Sequence, residues 1–228
     1  MVSCVAMIPA RGGSKRLPRK NIMEFRGRPM MSYTIEAAKE SGCFGRIVVS
    51  TEDEEIAKVG DEYGAEIIAR SPALATDEAR VLDVCDDFIR RQSDYFPQYD
   101  VLCVLYATSP LRTADDIRAV VEFVRSGDHS SALAVTTYSL PVHQALSVKE
   151  DRVEPVFPDL ISKRRNEVPE YYVDNGSTYA VSLEYFRHTK QLISPDLAVH
   201  VMPRARSVDI DTLEDYLIAQ CFAEHLQA

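Results

Sequence analysis

The chain has 228 residues, of which 46% are hydrophobic and 27% charged, a composition that supports a substantial core and excludes a wholly disordered protein. Its net charge of −9 excludes a general nucleic-acid binder, which needs a basic face for phosphate backbones. No apolar run reaches membrane-spanning length and the N-terminus lacks the order of a signal peptide; five scattered cysteines without a CxxC pair predict reduced thiols in the cytoplasm.

Residues 2–8 are an apolar run that predicts a buried strand closed by Pro9. Met31, Ile35 and Ala38 give residues 30–41 helical spacing, ended by Gly42. A strand at 47–50, a helix at 53–63 stopped by Gly64, a strand at 66–69 and a helix at 79–92 follow. Then come a strand at 101–106, a helix at 114–125 behind the cap Thr113, and a strand at 131–137. Strands apolar on both faces that alternate with helices predict an α/β fold, its mostly parallel sheet covered by helices on both faces. The rhythm breaks at about 138–172, where prolines and mixed charges surround two weak strand candidates, 144–148 and 152–156. This stretch reads as an inserted arm. Strands at 173–181 and 198–202 and a helix at 213–226 resume the pattern, so residues 1–228 are read as a single domain.

Positive charge is concentrated behind the first strand. Arg11 to Arg28 hold seven Lys or Arg residues and one acid, Glu24. Within Ile8-Pro9-Ala10-Arg11-Gly12-Gly13-Ser14-Lys15-Arg16-Leu17-Pro18-Arg19-Lys20-Asn21, Gly12 and Gly13 let backbone N–H groups approach an anion, and the cations can neutralise a triphosphate. The segment is neither a Walker loop nor a GxGxxG fingerprint. So many cations in a short stretch of an acidic chain favour phosphate binding over a solvated basic loop.

This segment resembles the N-terminal signature of the CMP-sialic acid synthetase family, which includes neuraminate, pseudaminate and legionaminate cytidylyltransferases. The resemblance implies a Rossmann-like fold, CTP as nucleotide donor, Mg²⁺ as cofactor and a homodimer. It also implies that Arg11, Lys15 and Lys20 hold the triphosphate, with Arg11 and Lys20 stabilising charge at the reacting phosphate, and that Ser14 and Asn21 lie near the ribose or base. Residues 47–53 and Arg70-Ser71-Pro72-Ala73-Leu74-Ala75 resemble the family's second strand and nucleotide loop, which implies that Arg70 lies near the nucleotide. Tyr106-Ala107-Thr108-Ser109-Pro110-Leu111-Arg112 resembles a sugar-binding strand end and makes Tyr106 and Thr108 substrate candidates. Sialate enzymes carry glutamine where Tyr106 stands; a tyrosine is more similar to the pseudaminate branch.

Near the C-terminus, an extended Asp209-Ile210-Asp211 would aim both carboxylates to one side, a donor set that suits Mg²⁺. The residues alone leave metal coordination and helix capping open. The resemblance implies the metal. In the arm, Arg165 falls on the arginine of a similar R-x-x-x-P…NG pattern and is the candidate for the sugar carboxylate. Asn175 reads equally as a sugar contact or, with Gly176, as a hairpin turn. The arm itself resembles a dimerisation element. No histidine has ligand spacing.

The activity implied is attack of the sugar's anomeric hydroxyl on the α-phosphate of CTP, with loss of pyrophosphate. One rival is an octulosonate cytidylyltransferase, whose loop fits less well. Another is a nucleotide-sugar glycosyltransferase, whose D-x-D sits mid-chain. A catalytically dead nucleotide-binding scaffold is the third.

Overall fold

The computed structural model describes residues 3–92 and 98–226; Val2, expected to begin the first strand, lies outside them. Strand β1 (Cys4–Pro9) sends Cys4, Ala6 and Ile8 to one side and Val5 and Met7 to the other, all fully buried. A small hairpin of β2 (Glu24–Phe25) and β3 (Arg28–Pro29) follows. It turns at Arg26 and Gly27, with φ of 49° and 80°, and strands this short leave no alternation in the sequence. Helix α1 (Met30–Ser41) ends at Gly42 in the left-handed region. Next come β4 (Arg46–Thr51), α2 (Glu54–Glu62), β5 (Glu66–Ala69), α3 (Val81–Arg91), β6 (Val101–Leu105), α4 (Ala114–Arg125) and β7 (Ser131–Thr137). Helix α3 starts two residues later than expected, where Asp83 accepts from the Arg80 N–H and fixes its first turn.

The chain then leaves the main sheet. Strands β8 (Leu146–Lys149) and β9 (Arg152–Pro155) form a separate hairpin through Glu150 and Asp151, both at positive φ. It returns through β10 (Tyr172–Ser182), and α5 (Leu183–Thr189), β11 (Ala198–Val201) and α6 (Leu213–Leu226) complete the fold. Helix α5 was not expected from the sequence; Ser182 caps it by accepting from the Tyr185 N–H.

The seven strands of the main sheet lie in the order β11-β7-β10-β6-β1-β4-β5. Neighbours pair in parallel except β10, which is antiparallel to both β6 and β7. β10 differs because it returns from the arm without a helical crossover. One face packs against α1, α2 and α4 through Met31, Ile35, Ile56, Ile117 and Val120. The other packs against α3 and α5 through Val84, Phe88, Leu183 and Phe186. A third cluster places Leu17 of the cationic loop with Phe25, Met30, Ile210, Ala219 and Ala223. That cluster matters for function, because it ties the loop to the segment that carries Asp209 and Asp211.

Candidate active site

The carboxyl ends of β1, β4 and β6 open on one side of the sheet, where parallel α/β sheets bind ligands. A cleft of about 570 Å³ lies there. Arg11, Gly13, Ser14, Lys15, Lys20, Asn21, Arg70, Tyr106, Thr108, Asp209 and Asp211 all line it. Each reaches it by a separate local device.

Loop 11–21 is held from within and from both sides. Asn21, buried, donates from Nδ2 to the Arg11 carbonyl at 2.9 Å. The Gly12 N–H donates to Glu52 at 2.7 Å, and a Cβ at Gly12 would collide with the Asp53 carboxylate, so this position requires glycine. Asp53 caps α2 and pairs with Arg19, whose hydrogen bond holds the Asp53 carboxyl below its ordinary pKa. Leu17 anchors the far end of the loop in the core beside Ile210.

The loop's cations face carboxylates across the cleft. Arg11 pairs with Asp77 at 2.8 Å, and Lys15 pairs with the same acid. Lys20 and Arg16 converge on the two oxygens of Asp211. Asp77, Lys15 and Arg16 are all substantially exposed, and solvent-screened ion pairs of that kind are weak. An incoming polyanion can therefore displace the acids at little cost. The buried Arg70 lies deeper, donating to the Ser50 carbonyl at 2.8 Å, and burial lowers its pKa.

Asp209 and Asp211 flank the fully buried Ile210. The Ile210 N–H donates to the Thr108 carbonyl at 2.9 Å, which clips this segment to the end of β6. Capping of α6 falls to its neighbours: Asp215 accepts from the Thr212 N–H at 2.8 Å and its hydroxyl at 2.7 Å. The two earlier carboxylates are thus left to the cleft. Asp209 accepts from the Thr108 hydroxyl. Burial pushes its pKa up to about 6, and the charge of Asp211 adds to the rise against the Thr108 bond. Burial also works against the Asp211 carboxylate, but hydrogen bonds and charge from Lys20 and Arg16 outweigh it and lower its pKa. Two hard oxygen donors in one cleft, one of them a buried carboxylate whose charge is poorly compensated, fit a divalent cation that takes its other ligands from phosphate and water.

Tyr106, two residues before Thr108, also lines the cleft. Its ring meets Tyr179 edge-on at 5.7 Å, and burial raises the pKa of both phenols. The Tyr179 hydroxyl donates to Asp174 at 2.7 Å. Sequence reasoning passed over Asp77, Glu52 and Tyr179. A cation-rich loop in an acidic chain signals that acids must face it, but which ones depends on where the fold sets the segments that follow β4 and precede α3.

Two sequence candidates lie elsewhere. Arg165 is exposed in the arm and lines a separate hollow of about 240 Å³ with Tyr138, Pro141, His143 and Tyr171. Asn175 is buried and bonds Ser207 at 3.1 Å and the Ser177 N–H at 3.2 Å. It does not line the cleft, and Asn175-Gly176 is not a hairpin turn: the pair sits inside β10 where the register against β7 shifts, with Gly176 at φ 64°. The left-handed glycine that a turn would use serves a strand irregularity instead.

Comparison with known proteins decides the family. The cytidylyltransferase family model matches residues 5–158. A pseudaminic acid cytidylyltransferase of Campylobacter jejuni is 34% identical over 95% of this chain and 94% of its own length. The chain belongs to the cytidylyltransferase family. A CMP-N,N'-diacetyllegionaminic acid synthase of Legionella pneumophila is 35% identical over 96% of each chain. An N-acylneuraminate cytidylyltransferase of Escherichia coli is 30% identical over 94% of this chain and 51% of its own length. These matches agree with the resemblance drawn from the first loop. In three dimensions this cytidylyltransferase superposes on a CMP:2-keto-3-deoxy-manno-octonic acid synthetase complexed with CTP, with a TM-score of 0.71 over 99% of each chain; at 17% identity the likeness is one of fold. As a member of this family the chain is a nucleotidyltransferase.

Proposed function

We propose that the protein joins the anomeric hydroxyl of a nonulosonic acid to the α-phosphate of CTP and releases pyrophosphate, with Mg²⁺ held by Asp209 and Asp211. The observation that carries this reading is the shared cleft: Arg11, Lys15 and Lys20 line the same cavity as the two acids, and Lys20 bonds one of them directly. The names of the relatives, all enzymes of nonulosonic acids, support the sugar class.

Loop 11–21 would take the triphosphate. Arg11 and Lys15 exchange Asp77 for phosphate oxygens, and Gly13, which lines the cleft with open space where a Cβ would stand, lets the backbone come close, while the Gly12 N–H stays on Glu52. Lys20 keeps its place between Asp211 and the reacting phosphate, where it neutralises charge as the pentavalent arrangement forms. When bound, the cation polarises the α-phosphate and lowers the pKa of the attacking hydroxyl. Arg70 and Asn21 brace the nucleotide side, while Tyr106 and Thr108 face the sugar. Phosphoryl transfer of this kind needs positioning and charge stabilisation more than covalent help.

The arm would complete the sugar site across a homodimer. Leu146, Val148 and Val153 of its hairpin are 56%, 69% and 58% exposed, and Arg165 lines no part of this chain's own nucleotide cleft. On this reading residues 1–228 are one catalytic domain with an inserted arm. Unpaired cysteines suit the cytoplasm, and among the described residues no helix is long and apolar enough to cross a membrane.

Pyrophosphate release from CTP and Mg²⁺, measured over a panel of nonulosonic acids, tests the proposal. Release should require both the sugar and the metal, and should fall away with ATP, GTP, UTP or the eight-carbon octulosonate. Equal turnover with the octulosonate, or none with any nonulosonic acid, overturns it.

A further inference from the structure

Arg112 is 4% exposed, yet every hydrogen bond it donates goes to an uncharged oxygen. Nη1 reaches the Ser177 carbonyl, and also the Thr178 hydroxyl at 3.4 Å. Nη2 reaches the Thr34 hydroxyl at 2.7 Å and the Tyr106 carbonyl at 3.2 Å. Nε is buried with no hydrogen-bond partner. Burial lowers the pKa to about 10, so the group remains a cation at neutral pH. A buried arginine facing no carboxylate in hydrogen-bonding contact is costly to keep. A leucine or methionine would fill the space at lower cost if packing were its purpose.

The carbonyls it grips lie just past the end of β6 and in the irregular middle of β10, close to Asp209. Tyr106 closes β6, and its own N–H donates to the Ser177 carbonyl at 3.1 Å, so Arg112 and Tyr106 share one acceptor. Two residues beyond Tyr106, Thr108 donates to Asp209 and accepts from the Ile210 N–H at 2.9 Å. One residue before Ser177, Gly176 brings its backbone so close that an added Cβ would stand 2.7 Å from the second Asp209 oxygen. The Ser109 hydroxyl links the same strands by donating to the Gly176 carbonyl at 3.3 Å. One side of the carboxylate is therefore bounded by Thr108 and the other by Gly176.

We propose that Arg112 is a positioning residue for the metal carboxylate: by stapling the Tyr106 and Ser177 carbonyls together, it fixes Thr108 and Gly176 against Asp209 and sets the orientation in which that side chain meets a divalent cation. The proposal rests on the assignment of Asp209 as a metal ligand. A direct hydrogen-bond partner of a metal ligand, here Thr108, typically changes affinity by about 10–100-fold when lost; Arg112 acts one step further out, through Thr108 and Gly176, so its loss should fall at the low end of that range.

The test is direct binding of Mn²⁺ in the presence of saturating CTP, read by water-proton relaxation, with Asp209→Asn as the reference for a lost site. Arg112→Gln should weaken Mn²⁺ by about tenfold, the low end of what a lost ligand partner costs, while CTP affinity without metal stays within a few-fold. Arg112→Lys keeps the charge but lacks the fork that spans two carbonyls, and should rescue only partly. Thr34→Val, a nearly isosteric change that removes one guanidinium partner, should weaken Mn²⁺ by a smaller factor and decides the matter if the Arg112 variants do not fold. Wild-type Mn²⁺ affinity in folded Arg112→Gln or, failing that, in Thr34→Val, or equal losses of CTP and Mn²⁺ affinity, overturns the positioning role and leaves the function proposed above intact. A wild type indistinguishable from Asp209→Asn removes the metal assignment itself, and Arg112's role with it.

Discussion

The nucleotide cleft and the arm balance their surfaces in opposite ways. In the cleft, the cations of the first loop meet acids of the same chain: Arg11 and Lys15 share Asp77, Arg16 and Lys20 share Asp211, and Arg19 holds Asp53 and Glu55. The arm carries exposed apolar side chains at Leu146, Val148 and Val153, which none of the described residues covers. A set of charges already compensated by weak, partly exposed pairs can exchange its acids for phosphate without rebuilding the fold. An uncovered apolar hairpin is satisfied only by another surface. The charges of the cleft are thus met within one chain, whereas the apolar side chains of the hairpin are not covered by any described residue.

The largest effect expected on this contrast is at Asp209. Asp209→Asn should lower kcat by on the order of a thousandfold or more, as loss of metal polarisation removes several kcal/mol from the transition state. The same substitution should stabilise the free protein. The folded carboxyl has a pKa raised to about 6 from an ordinary 3.8, so the folded state binds this proton more tightly than the unfolded one. Above pH 6 the ionised side chain costs stability, and that cost is relieved as the pH falls through about 6 toward 4. Melting curves should show Asp209→Asn above wild type at neutral pH and the gap closing in mild acid. A variant equal in activity or lower in Tm at neutral pH breaks the account of the cleft.

Lys20→Ala comes next, with a loss in kcat on the order of a hundredfold from removal of one preorganised charge at the reacting phosphate. Arg165→Ala separates the two regions. If the arm supplies the grip on the sugar acid, kcat/KM for the sugar should drop by about 10–100-fold, the value of a charged hydrogen bond, while KM for CTP stays constant. An unchanged sugar KM would make Arg165 a solvated arm residue and confine catalysis to the cleft.

The sequence announced the cleft more fully than the arm, for physical reasons. Buried strands such as β1 and β6 are apolar on both faces and stand out, and the loop behind β1 is marked by glycines and charge within a few residues. Asp209 and Asp211 were recognisable as an alternating pair, although capping by Thr212 and Asp215 rather than by Asp211 depended on where α6 begins. The partners of the loop were hidden because Asp77, which pairs with its cations, and Glu52, which accepts from the Gly12 N–H, reach it only through the tertiary fold. Asn175-Gly176 misled for a different reason: a left-handed glycine looks the same in a turn and in a strand irregularity, and only the pairing of β10 with β7 separates them. Arg112 is visible in the sequence as one more cation, and nothing local reveals that it is buried among carbonyls.

The smallest effect on catalysis in the cleft, and the sharpest test of the contrast, lies on the hairpin. Val148 and Val153 are directly paired across β8 and β9 and stay 69% and 58% exposed. Replacing both by Glu should leave the Tm of the isolated chain within a degree or two, because surface changes away from the core fall within about 0.5 kcal/mol. If a second copy covers this face, as proposed above, two like charges there would oppose association, since burying them unpaired is costly. Sedimentation should therefore show a smaller species than wild type, with CTP affinity kept by a cleft made from one chain and sugar turnover reduced. Unchanged assembly together with unchanged turnover would mean that the exposed valines cover nothing, and that the arm acts, if at all, on its own chain.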